Sequence, residues 1–289
     1  MSLLVPTIDD MSADCRPVTS SAWDRLRSAV AAQVGSLQPP LPPEPGVCAA
    51  CRGPARVDYL RCFHCGLHAE SAPRLLADAV VPISYAIKGG KHASDLWMYK
   101  SARPGPGVAR IAAEAQVILA ADAVRAAQAA LLSLLLVFLR DHCACTWRMA
   151  GGGGPTHLAV VPSTRGRAGP HPLRALTAPV LARPWAQLAL QGSREPPDPE
   201  DRDLSLDRFT VPERLGGARV LLLDDTWTTG SRAQSAAAAL KLAGAARVVA
   251  VVLGRHVDLR EKGTERFGRL LCGRRYRVGA DGLWPCPAC

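Results

Sequence analysis

Residues 219–231 read R-V-L-L-L-D-D-T-W-T-T-G-S, and no other stretch restricts the fold of the chain as tightly. Four consecutive apolar residues at 220–223 predict a strand buried on both faces, as in a parallel sheet. Asp224 and Asp225 close that strand. A hydroxyl-rich turn follows, and the Ala-rich run 233–243, stopped at Gly244, predicts a helix with its C-terminal signal. Residues 248–253 are strand-like again. Strand, acidic loop, helix and strand make a βαβ unit, which puts the loop at the carboxyl end of a sheet strand, where doubly wound folds bind ligands.

The residue types in the loop narrow the ligand. Backbone N–H groups leading into a helix N-terminus form an anion site, reinforced by the helix dipole. Gly230 lets the backbone approach a phosphate closely, and Thr228, Thr229 and Ser231 add hydroxyl donors. Two adjacent carboxylates would repel that phosphate, so they serve another part of the ligand: sugar hydroxyls, or a Mg²⁺ that also touches phosphate. A phosphorylated sugar satisfies both halves.

Residues 221–231, L-L-L-D-D-T-W-T-T-G-S, resemble the PRPP-binding motif of type I phosphoribosyltransferases. The resemblance implies that Asp224 and Asp225 hold the ribose hydroxyls and face the charge developing at the anomeric carbon. It implies that Thr226, Trp227, Thr228, Thr229, Gly230 and Ser231 grip the 5′-phosphate. The competing reading is an acidic strand-end loop in another doubly wound protein.

Upstream, Cys48-Ala-Ala-Cys51 and Cys62-Phe-His-Cys65 are separated by ten residues. Two C-x-x-C knuckles at this distance predict a tetrahedral, all-cysteine zinc site, closed and therefore structural. Metal binding would supply much of the folding free energy of so small a unit. A redox role needs only one such pair. A zinc ribbon ahead of a type I phosphoribosyltransferase domain is similar to the arrangement of the ComF family. In that family a lysine-containing stretch follows the ribbon, and Tyr85-Ala-Ile-Lys88-Gly-Gly-Lys91 looks like it, with Lys88 and Lys91 as candidate ligand contacts and residues 82–87 as the first strand.

A second central strand is expected at residues 157–161, ending in Ser163-Thr164-Arg165-Gly166-Arg167. It matches by position the pyrophosphate loop of the same family; Arg165 and Arg167 can neutralise a diphosphate. ComF relatives end this segment in R-G-F-N-Q, which is absent here, and that puts acceptor chemistry in doubt. Arg202 and Arg208 are weaker phosphate candidates. Residues 108–142 read as long helix, whose length allows a bend or a second helix, and 171–181 as another, with Pro172 near its first turn. Residues 183–199 are polar and proline-rich, so exposed. Residues 1–45 are expected to be an appendage with a Pro-rich linker, and 257–289 a basic tail. There His256, Cys272, Cys286 and Cys289 supply four ligand types for a second zinc site, at irregular spacing; free thiols on a frayed end are the alternative.

The expected architecture is therefore α/β: a parallel-sheet, Rossmann-like phosphoribosyltransferase core at 78–256 preceded by a Cys₄ zinc ribbon at 46–70. Hydrophobic content of 48% over 289 residues suits a globular chain. The net charge of +10 rests mostly on arginine, since Lys88, Lys91, Lys100, Lys241 and Lys262 are the only lysines. Excess arginine suits phosphate ligands or nucleic acid; it equally reflects the composition of a GC-rich gene. No secretory signal is visible, and the apolar run 129–139 is too short to span a bilayer, so the expectation is a cytoplasmic protein without a membrane role. The resemblance implies PRPP as ligand, Mg²⁺ with it, structural Zn²⁺, and an acceptor that the sequence does not identify. A non-catalytic PRPP sensor or a DNA-uptake-associated module is the alternative, against which the 5% aromatic content weighs. Homodimerisation is left open.

Overall fold

The computed structural model describes residues 21–100, 112–163, 171–181, 185–192, 202–279 and 282–288, with the side chains of 21–22 and 112–121 excepted. The described strands form a five-stranded sheet from β1 (Ala79–Ile87), β2 (His157–Val160), β3 (Ala186–Leu188), β6 (Arg219–Trp227) and β7 (Arg247–Val257), in the order β1-β7-β6-β2-β3. Every pairing in it is parallel. Two antiparallel pairs stand apart: β4 (Gln191–Gly192) with β5 (Phe209–Thr210), and β8 (Arg277–Gly279) with β9 (Gly282–Trp284).

The apolar runs at 220–223 and 248–253 are continuous because both faces of the sheet are covered. Leu221, Leu223, Val249 and Val251 point into a core shared with α1 (Ser21–Gln33), α3 (Lys91–Met98) and α4 (Ala112–Met149). Their neighbours Val220, Leu222, Val248 and Ala250 point the other way, into a core shared with α6 (Ser231–Leu242) and the cysteine knuckles. Fully buried Ala233, Ala236 and Ala237 let α6 lie close on the sheet. The helix stops where expected: Gly244 sits at φ +101°, and the amides of Gly244 and Ala245 donate to the carbonyls of Lys241 and Leu240.

Several expectations are corrected. β6 runs through both aspartates to Trp227, so the acids lie in the strand's last turns rather than in a loop after it. The helix expected at 108–142 is a single helix, α4, reaching Met149, and residues 108–111 lie outside the described residues. It is also longer than the apolar run suggested: Asp122–Met149 is long and apolar enough to cross a membrane by length and composition. Half of its most apolar window is buried within the domain, where Leu131, Leu134, Leu135 and Phe138 pack against the sheet and α1.

The N-terminal segment from residue 21 onward is not an appendage. Trp23 and Val30 of α1 are buried against α4. The proline-rich run then lies along the open edge of β1: Tyr85 N–H donates to the Gln38 carbonyl at 2.8 Å, and Leu41 N–H to the Tyr85 hydroxyl at 2.9 Å. Prolines without donors are suited to ending a sheet edge. Residues 183–199, expected to be exposed, contain β3 and the buried Trp185 and Leu188. The C-terminal tail is likewise packed. Phe267 of α7 (Glu265–Leu271) meets Tyr85 edge-on at 5.3 Å, Leu283 of β9 is fully buried, and the Tyr276 hydroxyl donates to the Ile83 carbonyl.

Candidate functional site: an acidic cleft at the carboxyl ends of the strands

β2 and β6 are adjacent and in register, Val160 opposite Leu223, and Val161 N–H donates to the Leu223 carbonyl at 2.9 Å. The segments that leave these two strands therefore emerge on one rim. There they border a cleft of about 700 Å³ lined on the acidic side by Asp224, Asp225, Thr226, Thr228 and Arg232, and on the other by Ser163, His171, Lys88, Trp97 and Lys100.

The two carboxylates are unequal. Both lie at the end of β6, largely out of solvent. Asp225 Oδ1 is 2.8 Å from Lys100 Nζ; its Oδ2 accepts from the Tyr99 hydroxyl and lies 3.6 Å from His171 Nε2. Burial pushes Asp225 up, but Lys100, Tyr99 and His171 outweigh it and hold the carboxyl below its usual range. Asp224 has no cation within 4 Å among the described residues; its Oδ1 accepts from the Asp225 N–H at 2.9 Å. Burial first, and then the neighbouring Asp225 charge, push its pKa up to about 7.

Of the expected phosphate-loop residues, Thr226 and Thr228 line the cleft and the rest do not. Trp227 is buried, and its indole packs under Gly230, where a Cβ would sit 2.1 Å from the ring. Gly230 stands at φ +87° as the N-cap of α6, a conformation and a contact that only glycine allows. Thr229 and Ser231 turn inward; the Thr229 hydroxyl donates to Ser231 Oγ at 3.2 Å. From the turn and the helix it opens, the cleft is thus lined by Thr226, Thr228 and Arg232.

Ser163 borders the cleft, whereas Thr164, Arg165, Gly166 and Arg167 lie outside the described residues. Lys88 borders it too but is paired with Asp258 at 2.6 Å, and Lys91 is paired with Asp95 within α3 at 2.7 Å. Arg208 is buried and donates to the Asp203 carbonyl. Lys100, Tyr99 and His171 were missed as site residues. Their only sequence signal was polarity near a predicted helix end, since contact with Asp225 comes from packing across the sheet. α3 is held there by close contact: Leu96 Cδ1 lies 2.3 Å from where a Cβ on Gly254 of β7 would stand, and His92 Nε2 bonds the Leu253 carbonyl.

The sulfurs of Cys48, Cys51, Cys62 and Cys65 all lie within 4.8 Å of one another, with Cys51 and Cys62 3.8 Å apart. Tetrahedral Zn–S bonds of about 2.3 Å require sulfurs about 3.8 Å apart, so the cluster fits a structural zinc site. Its first knuckle is a tight turn with Arg52 at φ +59°. The second opens α2 (Phe63–Ser71), so the unit is half helical; a single bridge, Val47 to Pro54, stands for the expected ribbon. Arg255 of β7 joins this unit to the end of β6: its guanidinium lies against Gly53 and donates to the Trp227 carbonyl at 3.1 Å.

The second zinc set is corrected. His256 borders the cleft, Cys272 is exposed at the end of α7, and Cys286 stands beside His142 and Cys145 of α4 instead. Cys289 lies outside the described residues.

Fold and site together define a parallel α/β domain with a cysteine tetrad and a strand-end cleft in which two aspartates face lysine, arginine and histidine. Comparison with known families, with curated proteins and with solved structures finds no match.

Proposed function

We propose that the cleft binds PRPP and that the chain is a phosphoribosyltransferase-like protein similar to the ComF family. The observation that carries this reading is the pairing of β2 with β6, which opens the Ser163 segment and the Asp224 strand end onto one cleft. A ligand with a sugar between two phosphate groups needs that arrangement: anion donors at both ends and a carboxylate between them.

The roles follow from the geometry. The N-terminus of α6, with Arg232, takes the 5′-phosphate. Asp224, once ionised, accepts from the ribose hydroxyls and faces the positive charge that grows at the anomeric carbon as the glycosidic bond loosens. Asp225 does not reach the sugar while Lys100 and Tyr99 hold it; it orients Lys100, whose ammonium borders the cleft. Mg²⁺, if bound with the ligand, would supply charge neutralisation for the pyrophosphate, and Asp224 is the carboxylate that would hold it. Zinc held by the four cysteines would be structural, since an all-thiolate set leaves no open position, and Arg255 links the cysteine unit to the end of β6.

A binding-only reading draws on the same pairing of Asp225, which leaves one carboxylate for the sugar where the family resemblance implies two. Calorimetry with PRPP and Mg²⁺, followed by pyrophosphate release over a panel of nucleobases and amines, separates the readings. Binding with release that is lost in Asp224→Asn supports the transferase. Binding with no release supports a sensor. Absence of binding rejects the PRPP site.

A further inference from the structure

Away from the cleft, α4 and the C-terminal tail bring three metal-binding side chains together. His142 and Cys145 are three residues apart on α4 and so share a helix face. Cys286 follows β9, and its sulfur, the Cys145 sulfur and a His142 ring nitrogen lie within 4.8 Å of one another. His142 is buried and both cysteines are partly buried.

The surroundings prepare these groups for a cation. His142 Nε2 lies 2.6 Å from the Leu283 carbonyl, an acceptor, so Nε2 carries the proton and Nδ1 holds the lone pair. A ligating histidine is fixed in this way by a backbone carbonyl on its other nitrogen. An Arg148 guanidinium nitrogen donates to Cys145 Sγ at 3.1 Å and so holds the side chain in place. The tail that delivers Cys286 is itself anchored, since Asp141 accepts from Leu283 N–H at 3.2 Å and pairs with Arg27. Cys145 and Cys286 are both unbridged, whereas nearby Cys143 is disulfide-bonded and belongs to no such set.

We infer that His142, Cys145 and Cys286 form a second transition-metal site, of the zinc class, that clasps the C-terminal tail to α4. One imidazole and two thiolates suit zinc and exclude the hard cations, which need oxygen. Three protein donors leave a fourth position to be filled from outside this set. The site shares no residue with the cysteine tetrad and does not depend on the PRPP reading.

Elemental analysis of the full chain loaded with zinc and desalted tests it. Cys286→Ser and His142→Gln should each lose about one zinc relative to the parent chain, while Cys62→Ser with Cys65→Ser loses a different one. Retention of the parent zinc content in both Cys286→Ser and His142→Gln overturns the site. A second readout follows bonding rather than stability. In the cobalt-loaded chain, thiolate-to-cobalt charge-transfer intensity should fall by about one third in Cys145→Ser with Cys286→Ser, as two thiolates of six are lost. Unchanged intensity overturns the site as well.

Discussion

Lys100 Nζ lies 2.8 Å from Asp225 Oδ1, joining residues 125 positions apart across the mouth of the cleft. Tyr99, the preceding residue, bonds the other oxygen of the same carboxyl, so the end of α3 is fastened to the end of β6 twice. Lys100→Met should therefore destabilise the chain by about 1–3 kcal/mol at neutral pH, the cost of leaving a buried carboxylate without its cation, reduced because the lysine is partly exposed. Asp225 has a depressed pKa, so this contribution is present above the unfolded carboxylate pKa and lost as pH falls through the lower folded value. Denaturant melts of both chains should differ at pH 7 and converge below about pH 4.

Asp224 behaves in the opposite sense. Its folded pKa of about 7 is raised, so the fold carries no penalty below the unfolded carboxylate pKa, a growing one as pH rises from there to about 7, and a constant one above. Asp224→Asn, which keeps an acceptor for Asp225 N–H, should leave stability unchanged near pH 4 and raise it above pH 7, by up to about 4 kcal/mol. Thermal melts across that range check the direction. In the parent chain, any ligand that needs the ionised carboxylate should release a proton on binding near pH 6. Calorimetric enthalpies in buffers of different ionisation heat read that proton directly.

Gly230→Ala should cost about 2–4 kcal/mol, combining a left-handed backbone with a methyl driven into the Trp227 ring. Trp227→Leu in the same chain should recover part of that loss, because only the ring contact is relieved. Equal stability of single and double variants, measured by urea unfolding, would show that the backbone term alone matters.

Gly254→Ala should loosen α3 where its Leu96 borders the cleft. Its new methyl meets Leu96 Cδ1, and the expected cost is about 1–3 kcal/mol. Pairing Gly254→Ala with Lys100→Met in a double-mutant cycle should give less than additive losses, since both act through the seat of α3.

Chelation should release the cysteine unit before the sheet. α2 owes its position to Cys62 at its N-cap and Cys65 in its first turn. Loss of helical circular dichroism on metal removal, with the main thermal transition retained at lower temperature, is the expected result. Full retention of the spectrum in a metal-free chain counts against a structural metal.

The βαβ unit around the aspartates was legible because its signals are local: a buried apolar run, a glycine after an alanine-rich helix, and two C-x-x-C spacings that fix their own geometry. Lys100, Tyr99 and His171 were not legible, because nothing local distinguishes a lysine that crosses the sheet from one in solvent. Trp227 was misread for a related reason. Its place in the motif pointed to the ligand, but strand alternation turned it into the core beneath Gly230. β3 escaped notice because a three-residue edge strand carries too short a pattern to stand out among prolines. The grouping of Cys286 with α4 depended on where a hairpin docks, which residue spacing does not encode.

The sheet order has a consequence for how the chain is made. Among the described strands β1 pairs with β7 alone, and Asp78 beside it accepts from Val248 N–H across 170 residues. During synthesis β1 waits, buried on both faces only in the finished sheet, until residues 247–257 have left the ribosome. Nascent chains halted before residue 247 expose that strand to one another, so premature termination yields aggregates rather than a smaller working domain.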